Sequence, residues 1–161
     1  MNNISLNVAD IVIKRASLTI SLDDFLNISK KDKTKGVVQL FDPGRVVDEN
    51  HVLGAYLNAK LSFAEGSNIA KSISTEMLLF AAMTRQVKAA IERVGARNPD
   101  DVLLFATGAA YSNARKHIRR ERVFKPSRYQ KASAARRLGI GTGKDTDAML
   151  LSRMVSSRLA D

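Results

Sequence analysis

Apolar residues recur at the spacing of one helical face near the middle of the chain. They occupy every third or fourth position of one short run: Val87, Ala90, Ile91 and Val94. The run predicts an amphipathic helix, which Gly95 can end in the left-handed conformation. The preceding segment, residues 76–83, is apolar on nearly all sides and predicts a helix that is mostly buried.

Thr84 lies between these two segments and is a fair N-cap. A helix that starts there holds Arg85 and Gln86 in its first turn. A cation is mildly unfavourable at that position, because the helix dipole presents positive charge at the N-terminus. Because the helix dipole disfavours a cation at this position, we infer a functional role for Arg85.

Short runs of β-branched and other apolar residues predict strands on both sides of this helical region. Segments 8–14 and 18–20 indicate one or two short strands, and segment 36–41 indicates another that ends at the turn Asp42-Pro43-Gly44. Segment 101–108 predicts a buried strand with a glycine turn.

Caps and apolar stripes predict further helices. Ser21 starts a short helix, and Asp48 caps a longer one that runs towards Ala64. The apolar stripe of the longer helix consists of Val52, Leu53, Tyr56, Leu57 and Leu61. Asp147 is expected to cap the last helix. The inward face of that helix is expected to consist of Leu151, Met154, Val155 and Leu159.

The region after the buried strand is also expected to be helical. The apolar stripe of one helix consists of Tyr111, Ala114 and Ile118. Another face of the same helix aligns Arg115, Arg119 and Arg122. Pro126 suits the N-terminus of a second basic helix over residues 129–138.

The order of these elements indicates an α+β fold. A strand-rich start is followed by a helical middle, one more strand and a helical end. We therefore predict a single domain over residues 1–161, with a small mixed β-sheet packed with several helices and a helical C-terminal half. A length of 161 residues suits one domain with its own hydrophobic core.

The formal net charge of +10 is concentrated in one segment. Residues 115–137 contain ten Lys and Arg against one acid, Glu121, so this segment carries +9 and the remainder of the chain +1. A local basic patch attracts polyanions, phosphate backbones above all, although a solvated surface that maintains solubility is the simpler alternative. We assign the expected RNA-backbone contacts to Arg115, Lys116, Arg119, Arg120, Arg122, Lys125 and Arg128.

The composition offers little support for catalysis. Because the chain has no cysteine, disulfides, thiolate chemistry and cysteine-ligated metals are excluded. Of the two histidines, His51 is expected on the outer side of a helix start, and His117 within the basic patch, where it can bind phosphate. The glycine-rich run 139–145 lacks the spacing and the hydroxyl of a P-loop and is better explained as a turn between helices. No catalytic residue, metal or cofactor is therefore expected.

No run of the sequence approaches the roughly 20 apolar residues of a membrane span. The N-terminus lacks the basic-then-apolar order of a signal peptide. We expect a cytoplasmic protein with no membrane partner.

Three short sequence motifs resemble a known family. Asn68-Ile69-Ala70-Lys71-Ser72 is followed by Glu76-Met77-Leu78-Leu79, and then by Arg85-Gln86-Val87 with Ala90. This order is similar to the small regulatory subunit of the KEOPS (EKC) complex, the family that includes the PRPK-binding protein, and the resemblance covers most of the chain. Ala82-Met83-Thr84 stands where the family often has Ser-Gly before the Arg-Gln pair.

The resemblance implies a non-catalytic accessory subunit that binds the N-lobe of a small atypical kinase/ATPase subunit. It also implies a place in the complex that makes threonylcarbamoyladenosine in tRNA, with the chemistry in a different subunit, and a role in recruiting tRNA by its 3′ CCA end. On the matching motifs we assign the tRNA 3′-end site to Asn68, Lys71, Arg85 and Gln86. No small-molecule substrate is expected.

Two other functions remain open on the residues alone. A protein-interaction module that regulates a kinase would use the basic patch to dock an acidic protein. The salt dependence of RNA binding, and competition with tRNA that lacks its CCA end, separate that function from tRNA recruitment. A small enzyme of unknown type is the third alternative, which a substrate screen on the isolated chain would address.

Overall fold

The computed structural model describes residues 8–157, which divide into two compact units. The sheet unit comprises residues 8–43 and 96–124, and the helical unit comprises residues 44–95 and 125–157. The predicted single domain over residues 1–161 stays a prediction. Leu159, which was expected on the inward face of the last helix, lies outside the described residues.

Within residues 8–157, four strands and seven helices follow a short 3-10 turn at Val8–Asp10. The strands are β1 (Ile11–Leu18), β2 (Val38–Phe41), β3 (Val102–Thr107) and β4 (Ile118–Val123). The helices are α1 (Leu22–Lys31), α2 (Glu49–Glu65), α3 (Ile73–Ala82), α4 (Val87–Val94), α5 (Gly108–Arg115), α6 (Arg128–Arg137) and α7 (Thr146–Ser156). The predicted α+β class is thereby confirmed.

The strands form one sheet in the order β2-β3-β1-β4. The sheet was expected to be mixed, but all of its described pairs are antiparallel. One face of the sheet packs with Phe25 of α1 and Ala114 of α5. The buried strand residues of that core are Ala16, Leu18, Leu40, Val102, Leu104 and Ala106. Residues 102–106 are all buried, as the unbroken apolar run of β3 predicts.

Residues 118–123 form a strand, so the helix predicted over this region is wrong beyond Arg115. The chain leaves α5 in a turn in which the N–H of His117 donates to the carbonyl of Ala114 at 3.0 Å. Residues 118–123 then pair with residues 14–18 of β1. A helical period in the sequence cannot reveal this pairing, because the partner strand lies about a hundred residues earlier.

α3 is the centre of the helical unit. All of its residues from 76 to 82 are buried, and it contacts α2, α4 and α7. A helix that is apolar all round needs neighbours on several sides, which confirms the prediction of a mostly buried helix here.

α2 carries two apolar stripes, which the sequence analysis combined into one. Its buried side consists of His51, Val52, Gly54, Ala55, Tyr56, Ala59 and Ser62. Leu57 and Leu61 are 38% and 43% exposed, so the five residues of the predicted stripe do not share one buried side. Asp48 caps α2 as predicted, since its carboxylate accepts from the N–H of His51 at 3.1 Å. Small residues on the buried side allow close packing against α3, and the leucines are therefore turned away from it.

α7 buries only part of its predicted inward face, since Met154 is buried as predicted. Leu150 and Met154 are buried, whereas Leu151 and Val155 are 44% and 51% exposed. The N-cap is Asp145, and Asp147 lies inside the first turn. Leu150 and Met154 are four residues apart and so share one side of the helix, which leaves Leu151 and Val155 on the adjacent side.

Gly95 ends α4, but not in the left-handed conformation that was predicted. Its φ of −64° and ψ of 149° are extended. A Cβ atom at this position would lie 2.6 Å from the carbonyl oxygen of Ile91, so the glycine is required by a close approach of the backbone. Ala90 and Val94 form the buried side of this two-turn helix, and Ile91 is 51% exposed.

Candidate functional site

The four residues assigned to the tRNA 3′ end lie at the two ends of α3. Asn68 and Lys71 precede its first residue, and Arg85 and Gln86 follow its last. Ten helical residues between the pairs correspond to about 15 Å along the helix axis. The structure therefore does not gather the four residues into one compact cluster.

Asn68 is half-buried within the loop before α3, and its side-chain amide donates to the carbonyl of Ala70 at 3.0 Å. This hydrogen bond stabilises the turn of the loop. Lys71 follows with an exposed side chain, and Ser72 caps α3 by accepting from the N–H of Thr75. Lys71 is therefore presented to solvent from a well-defined turn.

Glu76 of α3 stabilises the same loop through hydrogen bonds, a role that the sequence analysis did not predict. Its side chain is fully buried and accepts from the N–H of Ala70 at 2.7 Å and from the N–H of Ile69 at 3.2 Å. The hydroxyl of Ser62 donates to it at 3.4 Å. An acid inside an otherwise apolar helix is the sequence signal that could have revealed this role, since a buried charge needs hydrogen-bonding partners.

The segment between α3 and α4 differs from the predicted one. Met83 closes α3 in the left-handed conformation, with a φ of 52°. Gln86, and not Thr84, is the N-cap of α4, while the hydroxyl of Thr84 accepts from the N–H of Gln86 at 3.3 Å. Arg85 consequently lies outside the first turn of α4, and the argument from an unfavourable helix dipole does not apply to it. Its side chain is exposed.

The assigned basic residues are divided between the two units. Arg115 and Lys116 lie at the end of α5, and Arg119, Arg120 and Arg122 lie on β4. Lys125 and Arg128 belong to the helical unit, at the start of α6.

Strand geometry changes which arginines share a face. Side chains alternate along a strand, so Arg120 and Arg122 share one face of β4. The register with β1 shifts between Ser17 and Leu18, which leaves Arg119 as an extra residue without a partner on β1. Arg120 is opposite Ser17 and Arg122 is opposite Arg15 on β1. The helical face predicted to align Arg119 with Arg122 is wrong because the segment is a strand, but both residues line one open groove.

Arg15 and Asp101 form a bidentate ion pair in this region, with contacts of 2.5 and 2.6 Å. The hydrogen bonds from Arg15 hold the pKa of Asp101 below its usual value, and the same pair raises the pKa of Arg15. An open groove of about 610 Å³ lies alongside, lined by both residues and by residues 119–122. Nothing in the sequence pattern marks Arg15 as part of a basic surface.

Glu121, the one acid of the basic segment, is engaged inside the sheet unit. The hydroxyl of Tyr111 donates to its carboxylate at 2.6 Å, and the Nζ of Lys14 lies 3.4 Å from it. The hydrogen bond from Tyr111 is the main cause that lowers the pKa of Glu121. The negative charge of Glu121 is therefore compensated by residues other than the arginines beside it.

Both histidines occupy structured environments. His51 is fully buried, which contradicts its predicted place on the outer side of a helix: Nδ1 accepts from the N–H of Val47 at 3.1 Å, and Nε2 donates to the carbonyl of Ala81 at 2.9 Å. Burial lowers the pKa of His51 to about 4. His117 is half-buried and packs edge-on against Phe25.

Neither a group of metal-ligating side chains nor a membrane-spanning helix is found among the described residues. Within residues 8–157, no three His, Asp or Glu side chains are grouped as a metal-ligand set. None of the helices in that range is long and apolar enough to cross a bilayer. Residues 139–145 connect α6 to α7, starting at Gly139 with a φ of 71°.

Comparison with known proteins identifies the family. Residues 12–140 match the model of the family described as kinase binding protein CGI-121. A search of curated proteins finds no match. The family match confirms the resemblance to the KEOPS/EKC regulatory subunits that residues 68–90 carry. Since the match spans most of the 161 residues, the chain belongs to the kinase-binding protein CGI-121 family.

Proposed function

We propose that this protein is the non-catalytic, kinase-binding accessory subunit of a cytoplasmic KEOPS complex, which makes threonylcarbamoyladenosine in tRNA. In this role it binds the small atypical kinase/ATPase subunit and recruits tRNA, chiefly by the 3′ CCA end. The observation that carries the proposal is the family match over residues 12–140, since that family is described by its binding to a kinase.

The apolar side of α2 and α7 supports kinase binding. Leu57 of α2 and Leu151 of α7 are partly exposed and line a shallow groove of about 190 Å³. Leu61 and Val155 are 43% and 51% exposed on the same two helices. Partly exposed leucines on two packed helices are typical of a protein-binding surface. We assign the kinase-binding surface to these four residues.

The basic residues support the recruitment of tRNA. Arg120 and Arg122 add positive charge to the face of the sheet that also carries Arg15. Phosphate contacts give affinity that does not depend on base sequence, whereas unpaired bases are recognised by stacking and hydrogen bonds. Within this proposal the 3′ end contacts Asn68, Lys71, Arg85 and Gln86. A single strand that covers about 4 nucleotides or more can reach both ends of α3.

The kinase-binding part of the proposal is tested by affinity capture from native extract, followed by mass spectrometry. We expect a small kinase and a sugar-kinase-like ATPase to be captured with the wild-type protein. The double substitution Leu57→Asp with Leu61→Asp should remove both, because it places charge on the apolar groove side of α2. Ile28→Asp is the matched control, since Ile28 is an apolar residue of α1 that is 44% exposed; it should retain both proteins.

Two outcomes would contradict this function. If the wild-type protein captures neither enzyme, membership of the KEOPS complex is wrong. If it captures the kinase alone and tRNA binding shows no salt dependence, the chain is a kinase-regulating module whose basic residues dock an acidic protein.

A further inference from the structure

Tyr129 is the most exposed large hydrophobic residue among residues 8–157, with 77% of its surface accessible to solvent. It is the second residue of α6. Single exposed apolar residues are common, so exposure alone does not identify a site. The surroundings of this ring provide the second observation.

α6 is strongly basic. It contains Arg128, Lys131, Arg136 and Arg137, and it contains no acid; Lys125 lies just before it. Lys131 forms an ion pair within the protein, since its Nζ lies 3.0 Å from the carboxylate of Asp48. The other cations are exposed, and uncompensated cations on one short helix repel one another unless an anion binds between them.

The face of α6 that carries Tyr129 has exposed residues at both ends, Tyr129 and Arg136, and the half-buried Ala132 and Ser133 between them. Ala134 and Ala135 are buried and define the opposite, inward side. Ala132 and Ser133 follow Tyr129 by one turn, and Arg136 follows it by two turns, about 10 Å along the axis. Because Ala132 and Ser133 are small, no bulky side chain of α6 lies next to the ring on this side. The Nε of Arg136 donates to the carbonyl of Ala132 at 3.3 Å, so its guanidinium lies back along the helix towards the ring of Tyr129.

This arrangement fits one class of ligand best. A single-stranded nucleic acid offers unpaired bases, which stack on tyrosine, and phosphates at intervals, which bind arginine. A duplex hides its bases, and an acidic peptide has no comparable flat rings. We propose that α6 is a binding site for unpaired RNA, with one base stacked on Tyr129 and the flanking phosphates on Arg128 and Arg136. The inference rests on the RNA-binding part of the function proposed above and adds a site to it.

Fluorescence of a single indole tests the stacking directly, because the chain contains no tryptophan. Tyr129→Trp introduces one reporter at the proposed platform. An oligouridine of about eight nucleotides should quench it to saturation, whereas an RNA duplex at equal phosphate concentration should quench it weakly. Ile28→Trp, at a position of α1 that is 44% exposed, is the control and should show no saturable quenching.

Affinity measurements separate stacking from charge. Tyr129→Ala should weaken oligouridine binding about 5- to 150-fold without changing the log–log salt slope. Tyr129→Phe should remain within about 3-fold of wild type, since the ring is kept. Arg136→Gln should reduce the salt slope by about 0.7.

Three results would overturn the site. The first is that Tyr129→Ala binds oligouridine with the same affinity as wild type. The second is that single-stranded and duplex RNA quench the fluorescence of Tyr129→Trp equally. The third is that polyglutamate quenches this fluorescence as strongly as oligouridine does. The last result would assign α6 to an acidic protein instead. If wild type binds no RNA even at low salt, the RNA-binding part of the proposed function fails together with this site.

Discussion

His51 is the residue whose environment has the clearest consequence for stability. It is fully buried, both of its ring nitrogens are hydrogen-bonded, and its pKa is lowered from 6.5 to about 4. A histidine whose pKa is depressed on folding stabilises the protein fully above pH 6.5, and the stabilisation is lost as the pH falls towards 4, because the unfolded chain then binds the extra proton.

We therefore expect the free energy of unfolding to lose about 3 kcal/mol through this one group between pH 7 and pH 4. Urea denaturation of the wild type and of His51→Gln at pH 7 and at pH 4 separates the contribution of His51 to the pH-dependent stability from that of the carboxylates. Wild type should be the more stable protein at pH 7, and the gap should narrow by about 3 kcal/mol at pH 4. Parallel curves for the two proteins would show that the pKa of His51 is the same in the folded and unfolded states.

Glu76 is the second buried polar residue with a defined task. It accepts the backbone N–H groups of Ile69 and Ala70, and so fixes the loop that carries Asn68 and Lys71. Glu76→Gln should cost about 2–3 kcal/mol, since hydrogen bonds to a charged acceptor are replaced by weaker ones. Hydrogen exchange at the amides of Ile69 and Ala70 should accelerate. Glu65→Gln, at an exposed acid of α2, serves as the control and should change stability by less than about 0.5 kcal/mol.

At the scale of elements, α3 and α4 differ in how much of them is buried. Leu79 of α3 is fully buried, and Ile91 of α4 is 51% exposed, although the sequence pattern predicted burial for both. Leu79→Ala should cost about 2–5 kcal/mol, because it leaves a cavity at the centre of the helical unit. Ile91→Ala should cost less than about 1 kcal/mol. Chemical denaturation of the two variants compares them directly, and similar costs would contradict the packing described for α4.

The same elements show why some sequence predictions hold and others do not. Ser21 and Asp48 cap their helices as predicted, since a cap depends on residues three positions away. The helix predicted through Ile118 fails, because β1 offers residues 118–123 a pairing partner that a local pattern does not contain. α2 is apolar on two sides, and only its neighbours determine which side is buried.

On the scale of the whole molecule, substitutions of Arg85 test whether tRNA 3′-end recognition is separate from RNA-backbone binding and from kinase binding. A planar guanidinium can stack on a base or form two hydrogen bonds to a phosphate, which lysine cannot do equally well. We expect Arg85→Lys to weaken tRNA binding, and Arg85→Ala to abolish the preference for intact tRNA over tRNA trimmed of CCA. Salt-sensitive background binding should remain, and so should kinase capture.

Lys88→Ala is the matched control for this test, because Lys88 is an exposed cation of α4. It should leave the preference for intact tRNA unchanged. Full discrimination by Arg85→Ala would show that the assignment of residues 68, 71, 85 and 86 to the tRNA 3′ end is wrong. Loss of kinase capture by the same variant would instead place Arg85 on the kinase-binding surface.

The sequence by itself determined the features that depend on near neighbours. These include the mostly apolar helix α3, the unbroken strand β3, the caps at Ser21 and Asp48, the segment that carries the excess charge, and the motifs of the family. The tertiary structure alone decided that 118–123 is a strand, which side of α2 and α7 is exposed, and that His51 and Glu76 are buried. The physical reason is the range of the interactions: caps and helical periods act within a few residues, whereas strand pairing and burial depend on residues that only folding brings together.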